Sequence, residues 1–289
     1  GNAKVVYAGA GESNTRNSVS YGDGMYKTTD GGNNWQKIGL DSTERISKIL
    51  INPTDKKTVY VSAPGPLWNS STHRGLYKTR DGGKTWNKIL YVNDETGCAD
   101  IAMHPTKPET LFASMWQFRR KAYAFSSGGP GSGLHKSTDG GKTWNKITNG
   151  LPEGDLGRIV ITINPSKPSE VLAIVEAKVP GLYISEDEGA TWKKLASTEN
   201  LTARPFYFST LVYDPKDPKR VYRPAFDFQY SSDGGYSWNN TVIGGIEPHA
   251  DMHALWINPN NPDMMFVGTD GGIYMSTNKG TAWQFINSL

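Results

Sequence analysis

The sequence is poor in cysteine, in long apolar runs and in net charge. Cys98 is the only cysteine among 289 residues, so no internal disulfide can form and the redox compartment is not identified. No apolar run approaches the roughly 18 residues that a membrane-spanning helix needs. The 31 basic and 28 acidic residues leave a net charge of only +3. We therefore predict no membrane span and no nucleic-acid partner.

Glycine and aromatic residues are abundant instead. The chain has 32 Gly, 9 Trp and 14 Tyr, while hydrophobic residues make up 36% of it. This profile is typical of many short strands joined by turns, and it does not favour a helical bundle. The composition thus indicates an all-β protein.

A short motif, "STDGGKTWNKI" from Ser137 to Ile147, is one of six similar copies along the chain. Its tryptophans recur at intervals of about 45 to 58 residues. A second, proline-containing motif, such as "INPTDKKTVYVSA" from Ile51, lies between successive copies. Each repeat therefore contains strand, proline turn, strand, variable loop, strand, Asp-Gly-Gly turn and strand. Four strands in this length predict the four-stranded antiparallel blades of a β-propeller. The predicted repeats span residues 1–45, 46–98, 99–156, 157–205, 206–250 and 251–289.

The recurring motif, here called the box, is interpreted as a device that builds a turn. The Asp139 carboxylate can accept backbone N–H groups of the turn, and Gly140 and Gly141 allow backbone angles that side chains resist. Thr143 offers a hydroxyl to the same turn, and Trp144 can pack between neighbouring sheets. A calcium site would need more oxygen ligands than one carboxylate supplies, so we predict no metal. The predicted structural positions are Asp30, Trp35, Asp81, Trp86, Asp139, Trp144, Asp187, Trp192, Asp233, Trp238 and Trp283.

The pattern S-x-D-x-G-x-T-W resembles the Asp-box, or BNR repeat, of sialidase-like and sortilin-like propellers. Asn34 replaces the threonine in the first box and Ser237 replaces it in the fifth. The sixth box has Asn278 for the aspartate and Ala282 for the threonine, so a looser turn is expected there. The resemblance covers the whole chain and implies the propeller fold.

Three longer segments resemble the amino-terminal half of large bacterial sortilin-like proteins, the so-called glycosyl hydrolases with BNR repeats. They are "GAGESNTRNSVSYGDGMYKTTDGG", "MWQFRRKAYAFSSGGPGSGLHKSTDGG" and "PHADMHALWINPNNPDMMFVGTDGGIY". The resemblance implies a secreted or cell-envelope location and a propeller that extends beyond this chain. The first repeat begins with a segment that matches the second strand of a blade, so we expect the first blade to lack its inner strand.

The loops between the second and third strands are candidates for ligand binding, because loops on a rigid scaffold commonly carry function. The first three repeats have long loops, at 11–24, 63–75 and 115–133, whereas the later three are short. The third loop combines aromatic side chains with two arginines, which could stack on a sugar or peptide and bind a carboxylate. Alternatively, this loop folds over the adjacent blade and buries Trp116 and Tyr123. The predicted binding residues in these loops are Glu12, Arg16, Trp68, Trp116, Arg119, Arg120 and Tyr123.

A second candidate is the segment "PHADMHALW", in which His249, Asp251 and His253 alternate. In an extended strand all three side chains would lie on one side, facing the central channel of a propeller. Three interpretations stay open: a hydrogen-bonded polar cluster, a ligand contact, or a metal site. We include the three residues among the predicted binding residues and assign no metal.

Evidence for catalysis is thin. Glycosidases need two suitably spaced carboxylates, and the candidates Glu12, Asp100, Glu247 and Asp251 are equally compatible with loop caps or solvated charges. Nucleotide-binding loops, zinc-protease helices and serine-hydrolase elbows are missing from the sequence. We therefore predict a binding propeller with no catalytic residues and no cofactor, whose partner is a protein, peptide or glycan, or the rest of its own propeller. A glycoside hydrolase or lyase with catalytic groups partly outside this chain, and a structural blade array, are the alternatives.

Overall fold

The computed structural model describes residues 2–195, 199–208, 210–240 and 247–287. It divides into two compact units. The first unit comprises Gly1–Thr148 with Pro152–Ile159, and the second comprises Asn149–Leu151 with Val160–Leu289. Among the described residues, no helix has the length and apolar character needed to cross a membrane.

The first unit contains three sheets, whose neighbouring strands are antiparallel. A single-turn 3-10 helix, Asp41–Thr43, lies between the first two sheets. The strands of the first sheet are β1 Val6–Gly9, β2 Met25–Thr28 and β3 Gln36–Lys37. Those of the second are β4 Lys48–Ile51, β5 Val59–Ala63, β6 Gly75–Thr79 and β7 Asn87–Leu90. Those of the third are β8 Thr96–Met103, β9 Leu111–Lys121, β10 Ala124–Ser127, β11 Gly133–Ser137 and β12 Asn145–Ile147.

Two of these sheets differ from the regular four-stranded pattern. The first has three strands, in the order β1-β2-β3, as expected from the missing inner strand. In the third, β9 runs on to Lys121 and pairs with β10, so Phe118 lies opposite Ser127. The segment 115–133, predicted to be a loop, is therefore largely a β-hairpin. Its backbone hydrogen bonds are satisfied by strand pairing, which gives its side chains defined directions.

The core of the first unit lies between its sheets. One apolar cluster packs the first sheet on the second through Met25, Ile46, Val59 and Val61. Another packs the second on the third through residues such as Tyr60, Leu76, Ile101 and Leu111. Cys98 is fully buried in that second cluster, and burial raises the pKa of its thiol to about 12. The lone cysteine is therefore a packing residue.

The second unit contains three four-stranded sheets, each with its strands in chain order. A short 3-10 helix, Glu199–Thr202, precedes the second of them. The strands are β13 Ile159–Ile163, β14 Val171–Val175, β15 Gly181–Ser185, β16 Lys193–Lys194, β17 Val212–Tyr213, β18 Val221–Pro224, β19 Phe228–Ser231, β20 Asn239–Asn240, β21 Met252–Ile257, β22 Met265–Thr269, β23 Gly272–Ser276 and β24 Gln284–Phe285. Leu172, Ile184 and Val221 belong to one core cluster, and Tyr222 and Met265 belong to another. The prediction of an all-β chain is confirmed.

The hydrogen bonds expected of the box turn are present. Asp139 Oδ1 accepts the backbone N–H groups of Lys142 and Thr143, each at 2.9 Å, and its Oδ2 accepts the Thr143 hydroxyl at 2.6 Å. Ser137 Oγ donates to the same carboxylate at 2.8 Å and accepts from Gly141 N at 2.9 Å. These donors hold the pKa of Asp139 well below its usual range. The side-chain oxygens of Ser137, Asp139 and Thr143 are thus all engaged within the turn.

The box tryptophans differ in burial. Trp86 donates from Nε1 to Ile38 O of the preceding sheet at 2.7 Å, and Trp283 packs edge-on against Phe228 at 5.0 Å. Trp35 is 45% exposed, whereas Trp192, which also lies in the first sheet of its unit, is 5% exposed. The burial of the indole therefore varies from box to box.

Candidate functional site

In both units the long connections and the box turns leave the sheets at opposite ends. Each box turn follows the third strand of its sheet, whereas the connection to that strand follows the second strand, which runs the other way. The surface formed by the second-to-third connections is called the loop end of each unit below. Both candidate sites lie at a loop end.

Glu95 is the centre of the loop end of the first unit. Its Oε1 accepts from Arg119 Nη2 at 3.2 Å, and its Oε2 accepts from Gln117 Nε2 at 3.1 Å. Arg119 also donates from Nη1 to Trp68 O at 3.0 Å and from Nη2 to Ser70 Oγ. Arg119 therefore ties the β9–β10 hairpin both to Glu95, in the connection before β8, and to the loop 63–75.

The two adjacent arginines face different neighbours. Arg120 donates from Nη2 to Asn17 Oδ1 of the first loop, and its guanidinium lies 5.6 Å from the centre of the Phe125 ring. Arg119 instead turns to Glu95, because neighbouring residues on a strand point to opposite faces. Sequence alone placed both arginines in one site, whereas the structure has each of them tie the hairpin to a different loop.

A buried stack of aromatic rings and guanidinium groups supports the hairpin from beneath. Trp116 and Phe118 are stacked, with ring centres 4.2 Å apart. The guanidinium carbons of Arg45 and Arg74 lie 5.0 and 4.5 Å from the centre of Phe118, and that of Arg158 lies 5.1 Å from Trp116. Trp116 is 0% exposed. The expectation that Trp116 stacks on a ligand is therefore wrong, because its ring is sealed inside this cluster.

The same arginines organise the second loop. Arg74 donates to the carbonyl oxygens of Pro64 and Pro66, each at 2.6 Å, and of Asn69 at 3.0 Å. Arg45 donates to Gly65 O at 2.6 Å. Burial lowers the pKa of Arg45 to about 9 and that of Arg74 to about 10, with a further contribution from the positive charges nearby. Both remain charged at neutral pH and hold loop carbonyls in place.

An open groove of about 330 Å³ lies beside the hairpin. Tyr123 at the hairpin tip is 85% exposed, so the alternative in which the hairpin buries this ring is wrong. The groove combines exposed aromatic surface with the fixed Arg119–Glu95 ion pair. Its lining residues are Glu95, Gln117, Phe118, Arg119, Lys121, Tyr123, Ala124, Phe125 and Ser126.

The other predicted residues of this end lie outside the groove. Glu12 accepts from the backbone N–H of Ser20 at 3.2 Å within the first loop. Arg16 is exposed on that loop, and Trp68 is half-buried. Asp100 accepts from Lys48 Nζ at 2.7 Å and from Ile101 N at 2.9 Å, so it is a paired strand residue.

A second polar cluster occupies the loop end of the second unit. Asp270 Oδ1 lies 3.1 Å from His253 Nε2, and its Oδ2 accepts the Tyr207 hydroxyl at 3.2 Å. The Tyr207 ring meets the imidazole edge-on at 4.6 Å, and Phe208 is stacked with it at 6.0 Å. One carboxylate thus positions a histidine and a tyrosine within an aromatic enclosure.

His249 and Asp251 do not share a strand face with His253. The strand β21 begins at Met252, and Asp251 has a left-handed φ of 61°, which breaks the extended geometry that the alternation assumes. His249 is exposed, with Nδ1 2.8 Å from Ala250 O. Among the residues that the structure describes, no three His, Cys, Asp or Glu side chains converge in a group able to hold a metal ion.

Sequence reasoning missed the partners of His253. Asp270 lies in "GTDGGIY", a variant of the turn motif, and Tyr207 and Phe208 lie in the connection between the first two sheets of this unit. Only the clustering of aromatic residues in "RPFYF" signals that this connection packs against something. Its partner could not be read from the sequence, since the contact joins residues 63 positions apart.

Another cleft of the first unit, about 750 Å³, lies at the box end beside the box turns of the first two sheets. Trp35, Asp30 and Asp81 line it, and both carboxylates are already engaged in their own turns. We therefore place the candidate sites at the loop ends.

Two family models match this chain. A sortilin model, "Sortilin-Vps10: Sortilin, neurotensin receptor 3", matches residues 23–130, and a BNR/Asp-box repeat model matches residues 135–146. The crystal structure of an ancestral GH74 enzyme shares the fold over 98% of this chain and 38% of its own, with a TM-score of 0.69 and 18% sequence identity. The chain thus has the β-propeller fold and carries Asp-box repeats. Its sheets are therefore propeller blades, and the sortilin-like resemblance is confirmed.

Among curated proteins, this Asp-box propeller is similar to enzymes and to an assembly factor. A probable oligoxyloglucan-reducing end-specific xyloglucanase of Neosartorya fischeri is 23% identical over 87% of this chain and 34% of its own length. Xyloglucanase Xgh74A of Acetivibrio thermocellus is 24% identical over 79% of this chain and 30% of its own. The photosystem II assembly lipoprotein Ycf48 of Trichormus variabilis is 30% identical over 42% of this chain and 41% of its own. The chain thus spans about a third of the length of the xyloglucanases it matches, and these relatives are both bacterial and fungal.

Proposed function

We propose that this propeller binds a glycan chain in the hairpin groove of the first unit, the groove defined by the lining residues given above. The observation that carries the proposal is the combination of an exposed aromatic ring, Tyr123, with planar polar groups fixed by Glu95. Aromatic faces stack on sugar rings, and rigid polar groups select hydroxyl positions at little entropic cost.

The relatives support a polymer as ligand. Those that match most of the chain are named as xyloglucanases. A Ycf48 propeller with a TM-score of 0.51 and 19% identity was solved bound to the D1 peptide, so an extended peptide is the other arm of the test. Since polymeric glycans are met largely outside cells, a secreted or envelope location belongs to the same proposal.

The test uses variants of the β9–β10 hairpin. Binding of xyloglucan oligosaccharides and of a peptide library is measured by calorimetry for the wild type, Tyr123→Ala, and the double variant Arg119→Ala with Arg120→Ala. We expect each variant to weaken glycan binding at least tenfold, or about 1.4 kcal/mol or more. Tyr236→Ala, which removes a 51% exposed tyrosine of a box turn, is the matched control and should bind as the wild type does.

Two outcomes would contradict the proposal. Equal binding by the wild type and by Tyr123→Ala would move the site away from the hairpin. If the protein binds peptides and no glycan, the ligand of the hairpin groove is a peptide and the proposed glycan ligand is wrong. Thermal unfolding of each variant separates lost binding from lost folding, because Tyr123 contributes little buried area.

A glycoside hydrolase is the second candidate, and the names of the relatives favour it. Within this chain, Asp100 is committed to Lys48, while Asp270 is committed to His253 and Tyr207. Under this alternative, some of the catalytic carboxylates are contributed from outside this chain. Release of reducing ends from xyloglucan by the isolated chain would favour it over a binding function.

A further inference from the structure

The strand β18 carries an arginine at a position where the other blades have small apolar residues. Arg223 is the third residue of the second strand in its sheet, and it is only 1% exposed. The residues at the third position of the corresponding strands are Val61, Ala113, Ala173 and Val267. Propeller packing therefore does not require the guanidinium, and a local departure of this kind is typical of a functional position.

The guanidinium of Arg223 has no acceptor in the part of the chain that the structure describes. Its Nε, Nη1 and Nη2 are all buried without a hydrogen-bond partner, and so is Oε1 of Gln229. Burial lowers the pKa of Arg223 to about 10, so the group keeps its charge at neutral pH. A buried charge without a partner is strongly unfavourable, and an external acceptor would relieve it.

A pocket of about 310 Å³ lies at the loop end of the second unit, and Arg223 adjoins it through its cross-strand neighbour Gln229. Gln229 lines the pocket and lies directly opposite Arg223 in the β18–β19 pairing, so both side chains occupy the same face of the sheet. The other walls are Ala203, Phe208, Ala225 and Phe226, the last of which is 60% exposed, together with the exposed charges of Arg204 and Asp227. The pocket thus has a mixed apolar and charged mouth, and its floor includes the unsatisfied amide oxygen of Gln229.

We infer that this pocket binds a carboxylate carried on an apolar body, with Arg223 as the group that takes the carboxylate. A carboxylate matches the planar, two-pronged geometry of a guanidinium, and the resulting bond is strengthened by burial. A hydroxyl or N–H next to the carboxylate would satisfy Gln229 Oε1, while Phe208 and Phe226 flank the apolar part. The inference does not depend on the proposed glycan site, which lies in the other unit.

The first two probes are 3-phenyllactate and its neutral amide. Two further acids represent possible sources of the carboxylate: N-acetylphenylalanine stands for the end of a peptide, and glucuronate stands for an acidic sugar. Calorimetry should give saturable binding of 3-phenyllactate at least tenfold tighter than that of the amide. N-acetylphenylalanine should bind comparably, and glucuronate more weakly because it lacks an apolar body. Failure of all the acids to saturate, or equal binding of acid and amide, would overturn the inference.

Variants separate a ligand-binding arginine from a structural one. Arg223→Met should reduce the binding of 3-phenyllactate at least tenfold without lowering the thermal midpoint of the unliganded protein, since it removes an unpaired buried charge. Phe226→Ala changes only the exposed wall and should weaken binding several-fold while leaving folding intact. Arg220→Met, at the start of the same hairpin, is the control and should bind normally. A large drop in the midpoint for Arg223→Met, together with unchanged binding by Phe226→Ala, would show that Arg223 is structural.

Discussion

The loop ends of the two units are built in different ways. In the first unit, a long hairpin is held by a carboxylate, Glu95, and by guanidinium groups that donate to loop carbonyls. In the second unit, a connection between sheets places aromatic rings around His253 and Asp270. Beside them, Arg223 and Gln229 carry buried polar atoms without a partner among the described residues.

This difference separates supporting residues from candidate ligand-binding residues. Arg45 and Arg74 are as deeply buried as Arg223, yet each donates hydrogen bonds to backbone oxygens that shape a loop. The guanidinium groups of Arg45 and Arg74 therefore stabilise the loop conformation. Burial alone therefore says little about function, and the decisive feature is whether the buried group is already satisfied.

The largest expected effect concerns the buried stack of the first unit. Trp116→Ala should lower the free energy of unfolding by about 3–5 kcal/mol, because a fully buried indole leaves a cavity among Phe118 and its neighbours. Urea denaturation measures this change. Trp256→Ala in the second unit removes a 51% exposed ring and should cost less than about 1 kcal/mol. Equal losses for the two variants would refute the assignment of Trp116 to the core.

A second effect depends on pH and should be specific to the first unit. Burial lowers the pKa of His135 to about 4, below its usual value near 6.5, so folding favours the neutral imidazole. The contribution of His135 to the free energy of unfolding is therefore complete above about pH 6.5 and is lost as the pH falls towards 4. The loss reaches about 2 kcal/mol by pH 5.

His135→Gln should therefore flatten the loss of stability between pH 7 and pH 5, measured by urea denaturation at each pH. His73→Gln, which replaces an exposed histidine of the same unit, should leave the profile unchanged. Parallel profiles for the wild type and His135→Gln would contradict the prediction.

The smallest expected effect tests the irregular last box in the second unit. Asn278 Oδ1 accepts Ala282 N at 2.9 Å and the Ser276 hydroxyl at 2.9 Å, so the turn keeps most of its bonds. It lacks the hydroxyl-to-carboxylate bond that Thr143 makes in the third box. Asn278→Asp with Ala282→Thr should restore that bond and raise the thermal midpoint by about 1–2 °C. Ala282→Thr alone is the control, and an equal rise for both would show that the carboxylate is not the cause.

Much of the candidate site was visible in the sequence, but its arrangement was not. Arg119 and Tyr123 of the hairpin groove, and His253 in the other unit, were among the residues named from the sequence, whereas Glu95 and Gln117 were not. The adjacency of Arg119 and Arg120 suggested one site, yet strand geometry sends them to different neighbours. Asp270 and Arg223 were missed, because one lies in a turn motif and the other on a strand, and neither position indicates which distant side chains lie nearby.

By itself, the sequence determined the all-β fold, the repeat and the internal bonding of each box turn. These features depend on contacts within a few residues, and local spacing records such contacts directly. Only the tertiary structure decided that Trp116 is buried while Tyr123 is exposed, that His253 pairs with Asp270, and that Arg223 is buried opposite Gln229, which lines a pocket. Those outcomes depend on which sheets and connections pack together, and side chains far apart in sequence acquire their partners, or lack them, only after that packing is complete.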